Sequence, residues 1–95
     1  LKKHYSPGIP IFLNRSRAKK NYALITLGKK YKKSLDSFNL SKKSNLKEAD
    51  SNLYRILRKI KKLKYRGINV VKIPNIGPGV AINDRLKRAS QKKWN

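Results

Sequence analysis

A histidine and a tyrosine stand side by side near the start of the chain, in the segment LKKHYSPGIPIFL. His4 and Tyr5 can both make specific polar contacts, and the segment otherwise looks like a leader without regular structure. Two interpretations are open for this pair. Either it contacts a ligand, or Tyr5 packs on a sheet edge while His4 is solvated.

The remaining residue types exclude most catalytic sites. The chain has one histidine, no cysteine and only four acids, Asp36, Glu48, Asp50 and Asp84. No two carboxylates are placed for general acid–base chemistry. A metal site of the ordinary histidine and cysteine type needs more ligands than this. No Gly-x-Gly-x-x-Gly motif follows a strand, and no phosphate-loop motif is present. The sequence therefore contains no complete active site and no metal site.

The charge of the chain is extreme. The 26 lysines and arginines against four acids give a net charge of +22, and most of the basic residues are lysine. Such a charge is typical of proteins that neutralise nucleic-acid phosphates. Lysine, asparagine and isoleucine also share AT-rich codons, so a biased genome produces the same composition without selection for RNA binding. We favour the compositional explanation.

Length and hydropathy set further limits. With 95 residues, 38% of them hydrophobic, the chain fits one small domain with a thin core. No apolar run approaches the ~20 residues of a membrane span, so we expect a cytoplasmic protein without a membrane partner. The absence of methionine, even at position 1, suggests a processed chain or an excised part of a longer one.

Short isoleucine-rich runs predict a buried sheet. We expect strands over residues 9–14, 22–27 and 68–73, the last as a central strand because it is strongly β-branched. FNLS at 38–41 is either a very short strand or an extended connection. The charged stretches between these runs predict loops.

Two amphipathic segments predict helices. The first covers residues 46–64, with Asn45 as cap, Glu48 completing a capping box and Gly67 as the C-terminal stop. Its apolar stripe is expected to pack in the core. That stripe consists of Leu46, Ala49, Leu53, Ile56, Leu57, Ile60 and Leu63. The second helix covers residues 79–92, with Val80, Ile82, Leu86 and Ala89 as its apolar side. Strands alternating with helices predict an α/β fold, a small sheet of three to four mostly parallel strands covered by two main helices.

The aromatic residues are scattered, and we expect no interleaved basic and aromatic platform of the kind that reads single-stranded RNA. The glycines of GPGVAINDR precede a helix N-terminus, which could hold an anion, although a plain turn explains them better.

Two segments near opposite ends of the chain carry a resemblance to one family. KKHYSP resembles the Lys-x-His-Tyr-Ala/Ser-Pro linker of long-form L-threonylcarbamoyladenylate synthases. The segment from NLKEADSNLYRILRKIKK through GINVVKIPNIGPGVAINDRLKRAS resembles their C-terminal accessory domain. The matching helix residues are Ala81, Ile82, Asn83, Asp84, Arg85, Leu86, Arg88 and Ala89. The helix expected between the first two strands of that domain looks shortened or lost.

The resemblance implies residues 1–8 as an interdomain linker segment and 9–95 as the accessory domain, with a Rossmann-like fold. It implies a covalently linked YrdC-type catalytic domain, a nucleotidyltransferase that uses threonine, bicarbonate and ATP with Mg. The product, threonylcarbamoyl-adenylate, serves the threonylcarbamoyladenosine modification of tRNA. His4 and Tyr5 would then be linker residues that contact the nucleotide, and the isolated chain would hold no cofactor and no catalytic residue. Asn83 and Arg85 are candidates for a domain-interface or anion site.

Three hypotheses follow. The first is an accessory and gating domain of a tRNA-modification enzyme, inactive alone. The second is a small basic RNA-binding protein of ribosomal type, and the third is an α/β interaction module with incidental charge. The paired motifs favour the first. Any contact with tRNA is expected to be non-specific, because scattered lysines fix no base edges.

Overall fold

The computed structural model describes residues 8–91, and these form one α/β unit. Its elements are β1 (Ile11–Leu13), β2 (Tyr22–Thr26), β3 (Ser37–Asn39), α1 (Leu46–Lys62), β4 (Gly67–Val70) and α2 (Pro78–Gln91). The four strands form one sheet in the order β1-β4-β2-β3, and every neighbouring pair is parallel. The predicted α/β class, the parallel sheet and the two covering helices are confirmed.

The central strand is β4, as its β-branched sequence predicted, but it covers Gly67–Val70 and not residues 68–73. Ile68 pairs with Ile11 of β1 on one side and with Ala23 of β2 on the other. Its side chain is fully buried, as is that of Ile25. The two helices pack against each other and cover the face on which these side chains lie. The core therefore lies mainly between this sheet face and the helix pair, while Leu24 and Asn69 on the opposite face are also buried.

Helix α1 starts at the predicted cap, but its capping box is indirect. Asn45 Oδ1 accepts a hydrogen bond from the Glu48 N–H at 2.9 Å. The reciprocal bond predicted for the Glu48 side chain runs through a third residue. Ser41 Oγ donates to Glu48 Oε1 at 2.5 Å, and the Asn45 N–H donates to the same Ser41 hydroxyl at 3.0 Å. A buried serine thus connects the first turn of α1 to the end of β3.

The role predicted for Gly67 as the stop of α1 is wrong. The helix ends at Lys62, and Lys64 takes the left-handed conformation with φ of 59°. Gly67 is instead the first residue of β4 and lies against the ring of Tyr22, its partner on β2. A Cβ on Gly67 would overlap that ring, which explains the glycine.

Two apolar residues lie outside the core, contrary to prediction. Leu63 is half exposed because α1 has already ended, and Val80 is 49% exposed in the first turn of α2. The other members of both stripes are buried or pack against the core, which confirms their predicted role. The C-terminal end of the predicted helix 79–92 extends one residue past the described part.

The connection from β1 to β2 contains no helix. This agrees with the sequence, in which the helix that the family resemblance implies at this place looks shortened or lost. Residues 14–21 cross β4 in only eight residues, whereas parallel strands are usually joined by a helix. Asn14 and Asn21, at the two ends of this crossover, have φ of 58° and 67°. Asparagine tolerates the left-handed region better than most residues, so it permits both tight reversals.

Candidate functional site

His4 and Tyr5 lie outside the described residues, so their predicted contact with a nucleotide stays a prediction. The same holds for most of the proposed linker segment, residues 1–8. The other predicted site residues, Asn83 and Arg85, are described, and both make contacts inside the domain.

Asn83 lies on the first half of α2 and holds the chain that precedes it. Its Nδ2 donates to the carbonyl oxygen of Ile73 at 2.9 Å and to Asn75 Oδ1 at 3.3 Å. The Gly79 N–H donates to the Ile76 carbonyl at 2.8 Å, and the Val80 N–H donates to the Gly77 carbonyl at 3.1 Å. Both bonds link the start of α2 to the turn before it. The segment GPGVAINDR therefore forms a braced turn and helix start.

Arg85 joins the two helices. Its guanidinium forms an ion pair with Asp50 of α1 and lies 5.7 Å from the ring centroid of Tyr54. The side chains of the pair are 39% and 31% exposed, so water still screens the pair. Because Arg85 is paired with the Asp50 carboxylate, its positive charge is partly offset and attracts a further anion less strongly. Its role, and that of Asn83, at a domain interface or anion site stays a prediction.

All four acids of the chain already have partners within the fold. Asp36 accepts a hydrogen bond from the Tyr65 hydroxyl at 2.8 Å, and Glu48 accepts one from Ser41. Asp50 pairs with Arg85, and Asp84 pairs with Arg88 at 3.0 Å. Each of these carboxylates is thus held by a neighbouring side chain of the fold.

The contact between Tyr65 and Asp36 affects the pKa of the Tyr65 hydroxyl. Burial raises the pKa of Tyr65 to about 12, and the hydrogen bond to Asp36 and the charge of that carboxylate act in the same direction. A phenol that stays neutral at physiological pH serves as a hydrogen-bond donor and not as a base. Tyr65 also meets Phe38 edge to face at 6.0 Å, so it connects the end of α1 to β3.

No group of three or more metal-ligating side chains lies together among residues 8–91. Within the same described stretch, neither helix has the length and apolar character of a membrane span.

A basic cavity lies at the outer edge of the sheet, beside β3. It has a volume of about 300 Å³. Its walls come from the last residue of β2, from all three residues of β3, from the loops that follow these strands and from α1. Five of the eleven lining residues are cations, namely Lys32, Lys33, Lys42, Arg55 and Lys59, and none is an acid. We call this the β3 cavity.

A second basic group lies on the sheet face opposite the helices, where the sequence predicted no aromatic platform. Phe12 and Tyr22 stack with ring centroids 6.1 Å apart and an interplanar angle of 27°. The Arg15 guanidinium lies 4.7 Å from the Phe12 centroid, and Lys19 Nζ lies 4.6 Å from that of Tyr22. We call these four residues the Phe12 cluster. Sequence reasoning missed it because β1 and β2 are neighbours of β4 and not of each other.

The crossover that carries Arg15 and Lys19 is fixed to β4. The Arg15 N–H donates to the Val70 carbonyl at 2.9 Å, and Asn69 Nδ2 donates to the Arg17 carbonyl at 3.2 Å. Asn69 is only 4% exposed. The two cations of the Phe12 cluster therefore stand on a short segment tied to the central strand.

Fold and charge together define a small, strongly basic α/β domain with a four-stranded parallel sheet. The family of the threonylcarbamoyl-AMP synthase C-terminal domain matches residues 1–91, and the chain belongs to that family. No curated protein and no solved structure shows significant similarity to it. The resemblance that the two end segments carried is thereby confirmed.

Proposed function

We propose that this chain is the accessory and gating domain of an enzyme that makes threonylcarbamoyl-adenylate from threonine, bicarbonate and ATP. The observation that carries the proposal is the family match, which spans both the His4–Tyr5 segment and α2. The adenylate would supply the group for threonylcarbamoyladenosine in tRNA, in the cytoplasm. ATP, with Mg, would bind in a YrdC-type catalytic domain covalently linked to this chain.

The described residues support a non-catalytic role. Activation of ATP needs groups that hold the metal and the phosphates and that move protons. Here Asp36, Glu48 and Asp50 join different segments of the fold, and Asp84 pairs with Arg88 one turn further along α2. The nucleotidyltransferase chemistry would therefore reside in the linked domain.

The gating role rests on the chemistry of His4 and Tyr5. An imidazole and a phenol can donate hydrogen bonds to phosphate oxygens, and their rings can shield a mixed anhydride from water. A gate of this kind acts only while the reactive intermediate is in the pocket. Its loss would uncouple the reaction and let the intermediate hydrolyse.

The test uses His4→Ala and Tyr5→Phe in the two-domain enzyme. We expect pyrophosphate release to continue while the threonylcarbamoyl-adenylate recovered per pyrophosphate falls several-fold. Lys3→Gln is the matched control, since Lys3 occupies the variable position of the Lys-x-His-Tyr motif. Unchanged rate and yield in both variants would contradict the gate and favour packing of Tyr5 with a solvated His4.

The Phe12 cluster favours a second role, contact with tRNA. Packing over aromatic rings fixes the positions of the arginine and lysine cations, which can then bind phosphates. Guanidinium and ring planes can also stack on bases. Because the cluster presents no base-edge readers beyond these four side chains, the proposed contact is non-specific.

We expect the 95-residue chain to bind a cognate tRNA and a scrambled RNA of equal length within about threefold of each other. Affinity should fall steeply with salt, and Arg15→Gln/Lys19→Gln should lower the slope of log K against log salt by about 1.4. Fluorescence anisotropy between 50 and 200 mM salt measures both quantities. A cognate tRNA that binds more than tenfold tighter would overturn this proposal and support a dedicated RNA-binding protein.

A further inference from the structure

The β3 cavity gathers positive charge beyond what the composition of the chain supplies. Cations make up five of its eleven lining residues but only 26 of the 95 residues of the chain. They come from three separate parts of the fold, the loop after β2, the loop after β3, and α1. Separate segments thus converge on one concave site with charges of one sign.

No carboxylate offsets the charge of this cavity from within its lining, although Arg55 donates a hydrogen bond to Asn52 Oδ1 at 3.2 Å and Lys59 Nζ lies 5.9 Å from the Phe38 ring centroid. Arg55 and Lys59 stand four residues apart on α1, so their side chains lie on the same helix face, where like charges repel. All four acids of the chain have partners elsewhere, and none of them lines the cavity. An anion bound between the cations would relieve this repulsion.

The position of the cavity also suits a ligand. Thr26 and Asn39, the last residues of β2 and β3, form part of its wall. In open parallel sheets, ligands bind outside the carboxyl ends of the strands. Tyr31 and Phe38 add aromatic surface to the wall. A volume of about 300 Å³ is at the lower end of the range for small-molecule sites, which excludes folded RNA as the occupant.

We propose that the β3 cavity binds a small molecule with two or more linked phosphates, either pyrophosphate or the phosphate tail of a nucleotide. Phosphate oxygens are the natural partners of clustered lysine and arginine. A single phosphate carries at most about two negative charges near neutral pH, so linked phosphates bring more charge to the five cations. The site is independent of the proposed gating function, because it rests only on residues of β2, β3, α1 and their loops.

The test is a calorimetric titration of the 95-residue chain with pyrophosphate, ATP, ADP, AMP and inorganic phosphate at constant ionic strength. We expect saturable binding of pyrophosphate and ATP at one site, at least tenfold tighter than inorganic phosphate. Equal affinities for pyrophosphate and ATP would assign the site to the phosphates alone, whereas tighter ATP binding would add a contact from the nucleoside.

The decisive variant is Arg55→Gln/Lys59→Gln, with Arg58→Gln/Lys62→Gln as control. Both remove two charges four residues apart from exposed positions of α1, but Arg58 and Lys62 do not line the cavity. We expect the first to weaken pyrophosphate binding at least tenfold and the second less than twofold. Equal losses in both, or non-saturable binding, would overturn the proposal.

Amide NMR shifts of the chain give an independent measurement. Pyrophosphate should shift the resonances of residues 31–33, 42 and 55–59 most strongly. Shifts concentrated on residues 12–22 instead would place the anion on the Phe12 cluster and contradict the β3 cavity as the site.

Discussion

Ile68→Ala should destabilise the domain by about 3 kcal/mol, a large share of the roughly 5 to 15 kcal/mol available to a chain of this size. Ile68 is fully buried on β4 and has paired neighbours on both sides, Ile11 and Ala23. Strands on both sides limit how far the site can collapse, so most of the lost volume should remain as a cavity. The net charge of +22 adds electrostatic self-repulsion, which lowers the free energy of unfolding of the wild-type domain.

Urea denaturation followed by circular dichroism measures this loss. Ile68→Val should cost only about 1 kcal/mol, because it removes a single methyl group. Leu35→Ala is the control, since Leu35 is 97% exposed and its truncation should stay within about 0.5 kcal/mol. A loss below 1 kcal/mol for Ile68→Ala would mean that β4 is not the packed centre of the sheet.

The sequence predicted best those elements whose apolar residues repeat with a clear period. Helix α1 has five buried residues at helical spacing and a capping asparagine, and its start was predicted correctly. Strand β4 was identified by its β-branched residues, because only a strand buried on both faces favours such a run. In both, local preference and tertiary environment agree.

Contacts between segments far apart in sequence could not be predicted in the same way. Gly67 follows a helix and has the residue type of a helix stop, yet its role depends on the Tyr22 ring from another strand. The Phe12 cluster requires β1 and β2 to flank β4, an order that no periodicity encodes. The β3 cavity likewise draws on three segments, and each alone is an ordinary run of lysines.

The helix motif that carried the family resemblance has a structural explanation at most of its positions. Ile82, Leu86 and Ala89 are buried, and Asn83 holds the turn before the helix. The two arginines, Arg85 and Arg88, pair with Asp50 and Asp84. The residues by which the family is recognised at this end therefore build the fold, while the chemistry proposed for it lies at His4 and Tyr5.

Gly79→Ala should destabilise the domain by about 2 kcal/mol, although alanine is the better helix former. Gly79 lies in the first turn of α2, where replacement by alanine would ordinarily gain up to about 1 kcal/mol. A Cβ at this position would overlap the backbone carbonyl oxygen of Pro74 and also crowd Leu46 Cδ1 at 3.3 Å. Backbone cannot rotate away as a side chain can, so the chain around Pro74 must move.

That movement would disturb the hydrogen bond from Asn83 to the Ile73 carbonyl, whose loss costs about 1 kcal/mol. Overpacking adds about 1 to 3 kcal/mol, and the sum exceeds the gain in helix propensity. Val80→Ala is the matched control at the next position, half exposed and expected to change stability by less than about 0.5 kcal/mol. Thermal and urea denaturation of both variants decide the matter. A Gly79→Ala chain more stable than the wild type would show that helix propensity outweighs the contact with Pro74, and that the turn before α2 is free to shift.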